Sequence, residues 1–310
     1  MARTGTEAAA AAVTTEWREM RGRRVRLSVA PPFAGGGDRG PLRYPLLLVH
    51  GLGCSGEVWH PLLEALARRG SPLPRALAPD MPGFGHSAPL DETPDMDALA
   101  DWLAELLAAE GVARAHLISN SMGGQVVLAL AERHPERVVS VVPQGPTVGM
   151  PVPFWRYTAG LVADGFQESG RYNFKLMQMY FQMGVPRYFA MVGKMREDDA
   201  IARARRVSAP TLVVRGRRDS IVSDRTARRL VAALPNGVYA SLPDVAHAIE
   251  YDRPDLLLDT VLPFWRDAEA AEATGEKSGT EEQVAGEVPG DGQSRHRHEP
   301  YEQEAETLRL

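Results

Sequence analysis

A chain of 310 residues, 44% hydrophobic and 24% charged, has the size and balance of a folded globular body with a large core. Its formal charge of -5 is unevenly spread: Ala268 to Leu310 holds 11 acidic against 4 basic residues, so the remainder carries about +2 and offers no footprint for nucleic acid. The single cysteine, Cys54, excludes an internal disulfide, and no run reaches the roughly 20 apolar residues of a membrane span. A cytoplasmic protein without nucleic-acid or membrane partners is expected.

Residues 1–14 are of low complexity and lack the apolar core of a signal peptide, so a disordered N-terminal segment is expected there. The apolar run Pro45 to His50 reads as a strand buried on both faces, followed by a helix over 61–69. A short strand at Ala76–Pro79 enters the loop PDMPGFGHS. Met96 to Glu110 carries Leu99, Leu103, Leu106 and Leu107 at helical spacing. Ala115–Ser119 reads as strand, Gly123–Arg133 as helix and Val138–Val142 as strand. A strand at 211–215, a helix over 224–233, a strand at 238–242 and a closing helix from Pro254 to about Arg266 complete the pattern. Beyond residue 268 the composition turns to Glu, Gly, Gln and Ser, which predicts a disordered acidic tail over 268–310. The His296-Arg297-His298 stretch in it reads as a solvated chance spacing. Strand–helix alternation makes this an α/β chain with a mostly parallel central sheet flanked by helices, and its chemistry belongs beyond the carboxyl ends of the strands.

Ser121 stands between an apolar strand and an apolar helix, with Ser119 and Gly123 two positions to either side. Such a turn is sharp, so both ±2 residues must be small for the helix to fold back, which is the small-x-Ser-x-small pattern of a nucleophile elbow. A serine in an ordinary loop is the plainer alternative, and Ser119 in place of the usual glycine is a departure. The elbow would expose the Ser121 hydroxyl and offer the Met122 backbone N–H to a developing oxyanion. Gly51, directly after the first buried strand, lets the Leu52 N–H turn toward the same point, so Leu52 and Met122 are the expected oxyanion donors. His50 reads as a ring bonded to loop backbone, and Cys54 as a loop thiol without a partner base.

Asp219 follows the strand 211–215 through Gly216, a turn that lifts a carboxylate above the sheet. Asp224 is expected to cap the next helix. His247 lies in the loop before the last helix, ahead of Asp252-x-Pro254. Nucleophile, acid and histidine in that chain order, on three separate loops, point to Ser121 as nucleophile, His247 as its base and Asp219 as the residue that orients the base.

With these residues the chain resembles the α/β-hydrolase superfamily over roughly residues 16–267. The resemblance rests on His50-Gly51, the loop from Asp80 to Ser87, SNSMGG at 119–124, GRRD at 216–219, and His247 with Asp252 and Pro254. It implies the α/β-hydrolase fold over 15–267, with a helical cap inserted at about 148–206. It also implies hydrolysis through an acyl-enzyme. The sequence itself shows no metal site and no phosphate-binding glycine loop leading into a helix, so no cofactor and no metal are expected. Epoxide hydrolases and haloalkane dehalogenases of the superfamily carry Asp as nucleophile, so Ser121 argues against both. Its carbon–carbon bond hydrolases share the Asn-Ser-Met-Gly-Gly elbow but place Trp after the histidine, where this chain has Ala248.

The 148–206 stretch holds 10 of the 21 aromatic residues and 6 of the 11 methionines. Most should form the core of the cap, and some should line an apolar roof over a small-molecule substrate. The leading expectation is hydrolysis of an ester or related acyl bond in a small, largely apolar substrate. The alternatives are a carbon–carbon hydrolase of vinylogous diketones, a cofactor-free peroxidase-like member, and a ligand-binding protein that has lost the chemistry.

Overall fold

The computed structural model describes residues 13–30, 41–70, 73–148 and 154–274; the side chains of residues 154–158 and 161 are outside that description. Eight strands form one sheet in the order β1-β2-β4-β3-β5-β6-β7-β8. Strands β3 (Leu46–Val49), β4 (Ala76–Pro79), β5 (Ala115–Asn120) and β6 (Val138–Gln144) are buried along their whole length, as the continuous apolar runs predict. Strands β7 (Thr211–Gly216) and β8 (Gly237–Leu242) continue the parallel pairing on the other side.

Two further strands precede the expected pattern. β1 (Thr14–Met20) and β2 (Arg23–Ala30) form an antiparallel hairpin that joins the sheet through β4. Its two-residue turn, Arg21-Gly22, has positive φ at both positions (50° and 67°), the geometry that suits the twist of a tight hairpin.

Helices cover both faces. α1 (His60–Arg68) and the last helix pack on one face, and α2 (Met96–Ala109) and α3 (Gly123–Arg133) on the other. Between β6 and β7 the chain inserts four helices: α4 (Phe154–Gly165), α5 (Gly170–Met183), α6 (Val185–Glu197) and α7 (Ala200–Ala204). α8 (Asp224–Ala233) connects β7 to β8. The expected cap at Asp224 is instead made by Ser223, whose hydroxyl accepts the Thr226 N–H at 3.2 Å, while Asp224 binds Arg228 and the Tyr239 hydroxyl.

After the short α9 (Ile249–Asp252), α10 runs from Pro254 to Thr274, eight residues beyond the expected end at Arg266. Glu269 explains the extension. Its buried carboxylate accepts the N–H groups of Arg43 and Tyr44 and a bond with His116 on β5, so this stretch of the acidic segment belongs to the core. The expected disordered segments at 1–12 and 275–310, with His296-Arg297-His298, lie outside the described residues.

Candidate active site

Ser121 sits in the turn between β5 and α3 with φ of +56°, a left-handed conformation that costs a residue with a side chain about 1–2 kcal/mol. Three hydrogen bonds hold it there. Its N–H donates to the Gln144 carbonyl at 3.0 Å, and its own carbonyl accepts from Gly124 at 2.9 Å and Thr147 at 3.3 Å. The demand for small neighbours is visible: a Cβ on Gly123 would stand 2.5 Å from the Val49 carbonyl oxygen. On the other side Ser119 is tolerated because its side chain is fully buried at the end of β5, where its hydroxyl finds no partner. Of the two serines, Ser121 is the one whose backbone projects it out of the sheet.

Gly51 is equally constrained, since a Cβ there would come within 3.0 Å of the Ser121 Cβ. The loop that follows is pinned from two directions. His50 is neutral and fully buried; its Nδ1 bonds the Gly51 carbonyl at 2.9 Å and its Nε2 accepts the Met81 N–H at 3.0 Å, as expected for a structural ring. Asp80 accepts the N–H of Gly56 at 2.8 Å and of His86 at 2.9 Å, which gives the PDMPGFGHS loop its role. Leu52 and Met122 are buried, and neither backbone N–H donates to any described residue. Two buried, unpaired amides beside one serine are costly unless something anionic uses them. Cys54 is buried and bonds Tyr172, and burial pushes its thiol up to about 12, which leaves it inert.

The second half of the site is a histidine–carboxylate pair. His247 Nδ1 and Asp219 Oδ2 are 2.9 Å apart and both residues are buried. The other Asp219 oxygen accepts the N–H groups of Ile221 and Val222 at 2.8 Å each, and Arg215 on β7 holds the Asp219 carbonyl at 2.9 Å. The two loops touch directly. A Cβ on Gly216 would lie 2.1 Å from the Ala246 carbonyl oxygen, so only glycine lets the histidine loop cross there. His247 Nε2 is buried without a hydrogen-bond partner. Burial disfavours the charged ring, yet the Asp219 carboxylate, with Asp164 and Glu250 further off, outweighs it and raises His247 to about 9. Gly145 joins the two halves: it follows Gln144, which bonds Ser121, and a Cβ on it would stand 2.8 Å from the His247 ring.

Four more residues shape the site and were not found in the sequence. Gln144 Nε2 donates to the His247 carbonyl at 3.0 Å and to Glu250 at 2.5 Å. Glu250, fully enclosed, is pushed up to about 7 by burial. Asp164, at the end of α4, and Glu168, just after it, reach the Asp219 and His247 loops respectively from the inserted segment. A polar residue closing an apolar strand (Gln144) and an acid three residues after the histidine (Glu250) are the only signals the sequence carries for any of them.

The inserted helices also meet the glycine loop. Tyr180 lies so close to Gly53 that a Cβ on the glycine would fall 1.9 Å from its ring. Tyr180 is half-buried and its neighbours Tyr172, Met179 and Met183 are buried, whereas Phe166, Phe174, Met177 and Phe181 face outward. Among the described residues no group of three or more His, Cys, Asp or Glu could hold a metal ion, and no helix is long and apolar enough to cross a membrane.

The family model for the alpha/beta hydrolase fold matches residues 44–175. A 2-hydroxymuconate semialdehyde hydrolase of Pseudomonas sp. (strain CF600) is 28% identical over 256 residues, 74% of this chain and 89% of that protein. A pimeloyl-[acyl-carrier protein] methyl ester esterase of Aeromonas hydrophila is 29% identical, covering 71% of this chain and 94% of that protein. A putative carbamate hydrolase of Variovorax paradoxus is 30% identical over 66% of this chain and 84% of its own length. Among solved structures, a thermophilic esterase from Thermogutta terrifontis superposes with a TM-score of 0.65 at 21% identity, covering 82% of this chain and 99% of that one.

Proposed function

This chain belongs to the α/β-hydrolase fold family and is a hydrolase, and from that premise we propose that Ser121, His247 and Asp219 form a catalytic triad. It cleaves an ester or related acyl bond of a small, largely apolar substrate. The observation that supports the reading is the state of His247: Nδ1 is bound to Asp219 at 2.9 Å, Nε2 is left without a hydrogen-bond partner, and the ring packs against Gly145, next to the Gln144 carbonyl that the Ser121 N–H binds. With the Nδ1 proton held by Asp219, the neutral ring presents Nε2 as a base.

In the proposed reaction Nε2 takes the Ser121 proton as Oγ attacks the acyl carbon. The oxyanion that forms is received by the Leu52 and Met122 amides, each worth about 10²–10³ in rate. The imidazolium then protonates the leaving alkoxide. Water, deprotonated by the same nitrogen, attacks the acyl-enzyme, and the proton returns to Ser121 on release of the acid. The inserted helices act as the cap, with Tyr180 over the glycine loop supplying part of the apolar roof. A cytoplasmic setting belongs to the same proposal, in keeping with a single buried thiol, Cys54.

A fluorophosphonate probe tests the triad. Wild type is expected to be labelled, and Ser121→Ala and His247→Ala are not. A folded wild type that stays unlabelled, or a Ser121→Ala variant that keeps full ester turnover, would refute the assignment. The similarity to a semialdehyde hydrolase favours one rival, carbon–carbon cleavage of a vinylogous diketone. Paired assays with p-nitrophenyl esters of rising chain length and with such a diketone decide between the two by kcat/KM.

A further inference from the structure

The α5–α6 hairpin has two apolar sides. Its inner side is buried through Tyr172, Met179, Met183, Met191 and Met195. Its outer side should then be polar, as on any helix packed by one face. It is not. On α5, Phe174, Met177 and Phe181 fall at i, i+3 and i+7 with exposures of 66%, 59% and 81%, and across the Gly184 turn Val185 on α6 is 69% exposed. Apart from Trp17, every large hydrophobic side chain that is exposed among the described residues lies between 162 and 189.

Charge completes the pattern. Residues 169–196 contain five basic residues and no acidic one. Lys175 pairs with Glu57, Lys194 pairs with Glu197, and Arg187 donates to the carbonyls of Gly83 and Met183. Arg171 and Arg196 are exposed and have no ion pair among the described residues. Each ends an apolar stripe: Arg171 is three residues before Phe174, and Arg196 is eleven after Val185. Roughly 15 Å of helix thus separates each arginine from the apolar turn, at 1.5 Å per residue.

We propose that this outer face docks on an anionic lipid surface, with the turn end at the acyl boundary and Arg171 and Arg196 at the phosphates. Bulky aromatic and Met side chains flanked by unpaired cations fit that interface. A second copy of the chain fits less well, because a two-fold contact sets this face against itself and so brings like charges together.

Flotation of the full-length Ser121→Ala protein with vesicles tests the proposal without lipid hydrolysis and independently of the triad assignment. The protein is expected to float with phosphatidylglycerol vesicles and far less with pure phosphatidylcholine. Phe174→Ser/Phe181→Ser should reduce binding about tenfold or more, with circular dichroism confirming its fold. Arg171→Gln and Arg196→Gln should each weaken binding to the anionic vesicles about fivefold. Absence of flotation with both vesicles, equal flotation with both, or flotation that the Phe variant leaves unchanged overturns it. So does a dimer in light scattering that Phe181→Ser dissociates, since a second copy would then cover the face.

Discussion

The carboxyl group of Glu168 accepts the backbone N–H of Ala248 at 2.7 Å, so the inserted helices hold the residue next to His247. Asp164, four residues earlier, does the same for the Asp219 loop by accepting the Ser220 N–H at 3.1 Å. In return Asp252 accepts from both the N–H and the hydroxyl of Ser169, at 2.8 and 2.5 Å. The inserted helical segment and the histidine–carboxylate pair are therefore one hydrogen-bonded unit. Closely packed carboxyl groups cannot all ionise, and burial, reinforced by the bond with Asp252, pushes Glu168 up to about 10.

A neutral Glu168 makes a specific prediction. The folded chain keeps its proton while the unfolded chain loses it above 4.5, so between 4.5 and about 10 stability falls as pH rises. Glu168→Gln can still accept from Ala248 and donate to a carboxylate, but it carries no such penalty. Its melting temperature should gain on wild type steadily from pH 6 to pH 9, with kcat changed only a few-fold. Glu168→Ala also leaves the Ala248 N–H unpaired and should be less stable than Glu168→Gln by about 1–3 kcal/mol at every pH. A Gln variant whose difference from wild type is flat with pH would show that Glu168 is ionised in the fold.

His247 predicts the pH dependence of the reaction. In the proposed mechanism only the neutral ring takes the Ser121 proton, and with the ring raised to about 9 it is the minority neutral form that reacts at pH 7. In the free enzyme kcat/KM should accordingly climb with pH through a midpoint near 9 and level off above it, the midpoint lying well above the ordinary histidine value of 6.5. Asp219→Asn removes the main charge that raises the ring. It should shift the limb to lower pH while dropping kcat by about 10⁴, because the wrong tautomer is then favoured. A limb that stays in place in Asp219→Asn would break the link between the two residues.

Gly145 offers a steric test of the same geometry. An alanine there must adopt φ near +49° and places its Cβ 2.8 Å from two atoms of the His247 ring. Gly111 is the control, with φ of +68° and open space around it. Both alanine variants should lose about 1–2 kcal/mol of stability from the left-handed backbone. Only Gly145→Ala should also lose kcat/KM, by about 10²-fold, the effect of displacing a reacting group by around an ångström. Equal kcat/KM in the two variants would mean that His247 yields without consequence.

Ser121, Asp219 and His247 were legible in the sequence because each follows a strand and each loop has a local signature: small flanking residues, a Gly three positions before the acid, an Asp-x-Pro helix start. The parallel sheet was legible for the same reason, since strands buried on both faces read as unbroken apolar runs. Asp164 and Glu168 were not, because nothing local marks them, and the faint local marks of Gln144 and Glu250 do not reveal that the two side chains meet across about a hundred residues. The β1–β2 hairpin was hidden by its edge position, where Glu16, Arg18 and Glu19 interrupt the apolar pattern. The end of α10 is hidden because Glu269 reads as part of a solvated acidic segment, while its partners are Arg43, Tyr44 and His116, far off in the chain.

Ser119 gives the sharpest contrast between two serines a turn apart. Its hydroxyl is buried without a partner, an arrangement that costs about 1–3 kcal/mol. Ser119→Ala removes that group and leaves a strand-compatible side chain, so the variant should be as stable as wild type or up to about 1 kcal/mol more stable. Ser119→Gly, which restores the usual elbow residue, should be less stable than Ser119→Ala by about 0.5–1 kcal/mol because glycine loses more backbone freedom on folding. Both should keep fluorophosphonate labelling at Ser121, since the strained turn is fixed by the Gln144, Gly124 and Thr147 bonds and not by Ser119. Denaturant unfolding and probe labelling of the two variants check this together. Loss of labelling in a stable Ser119→Ala would move the nucleophile, or its support, two residues earlier than the φ of Ser121 indicates.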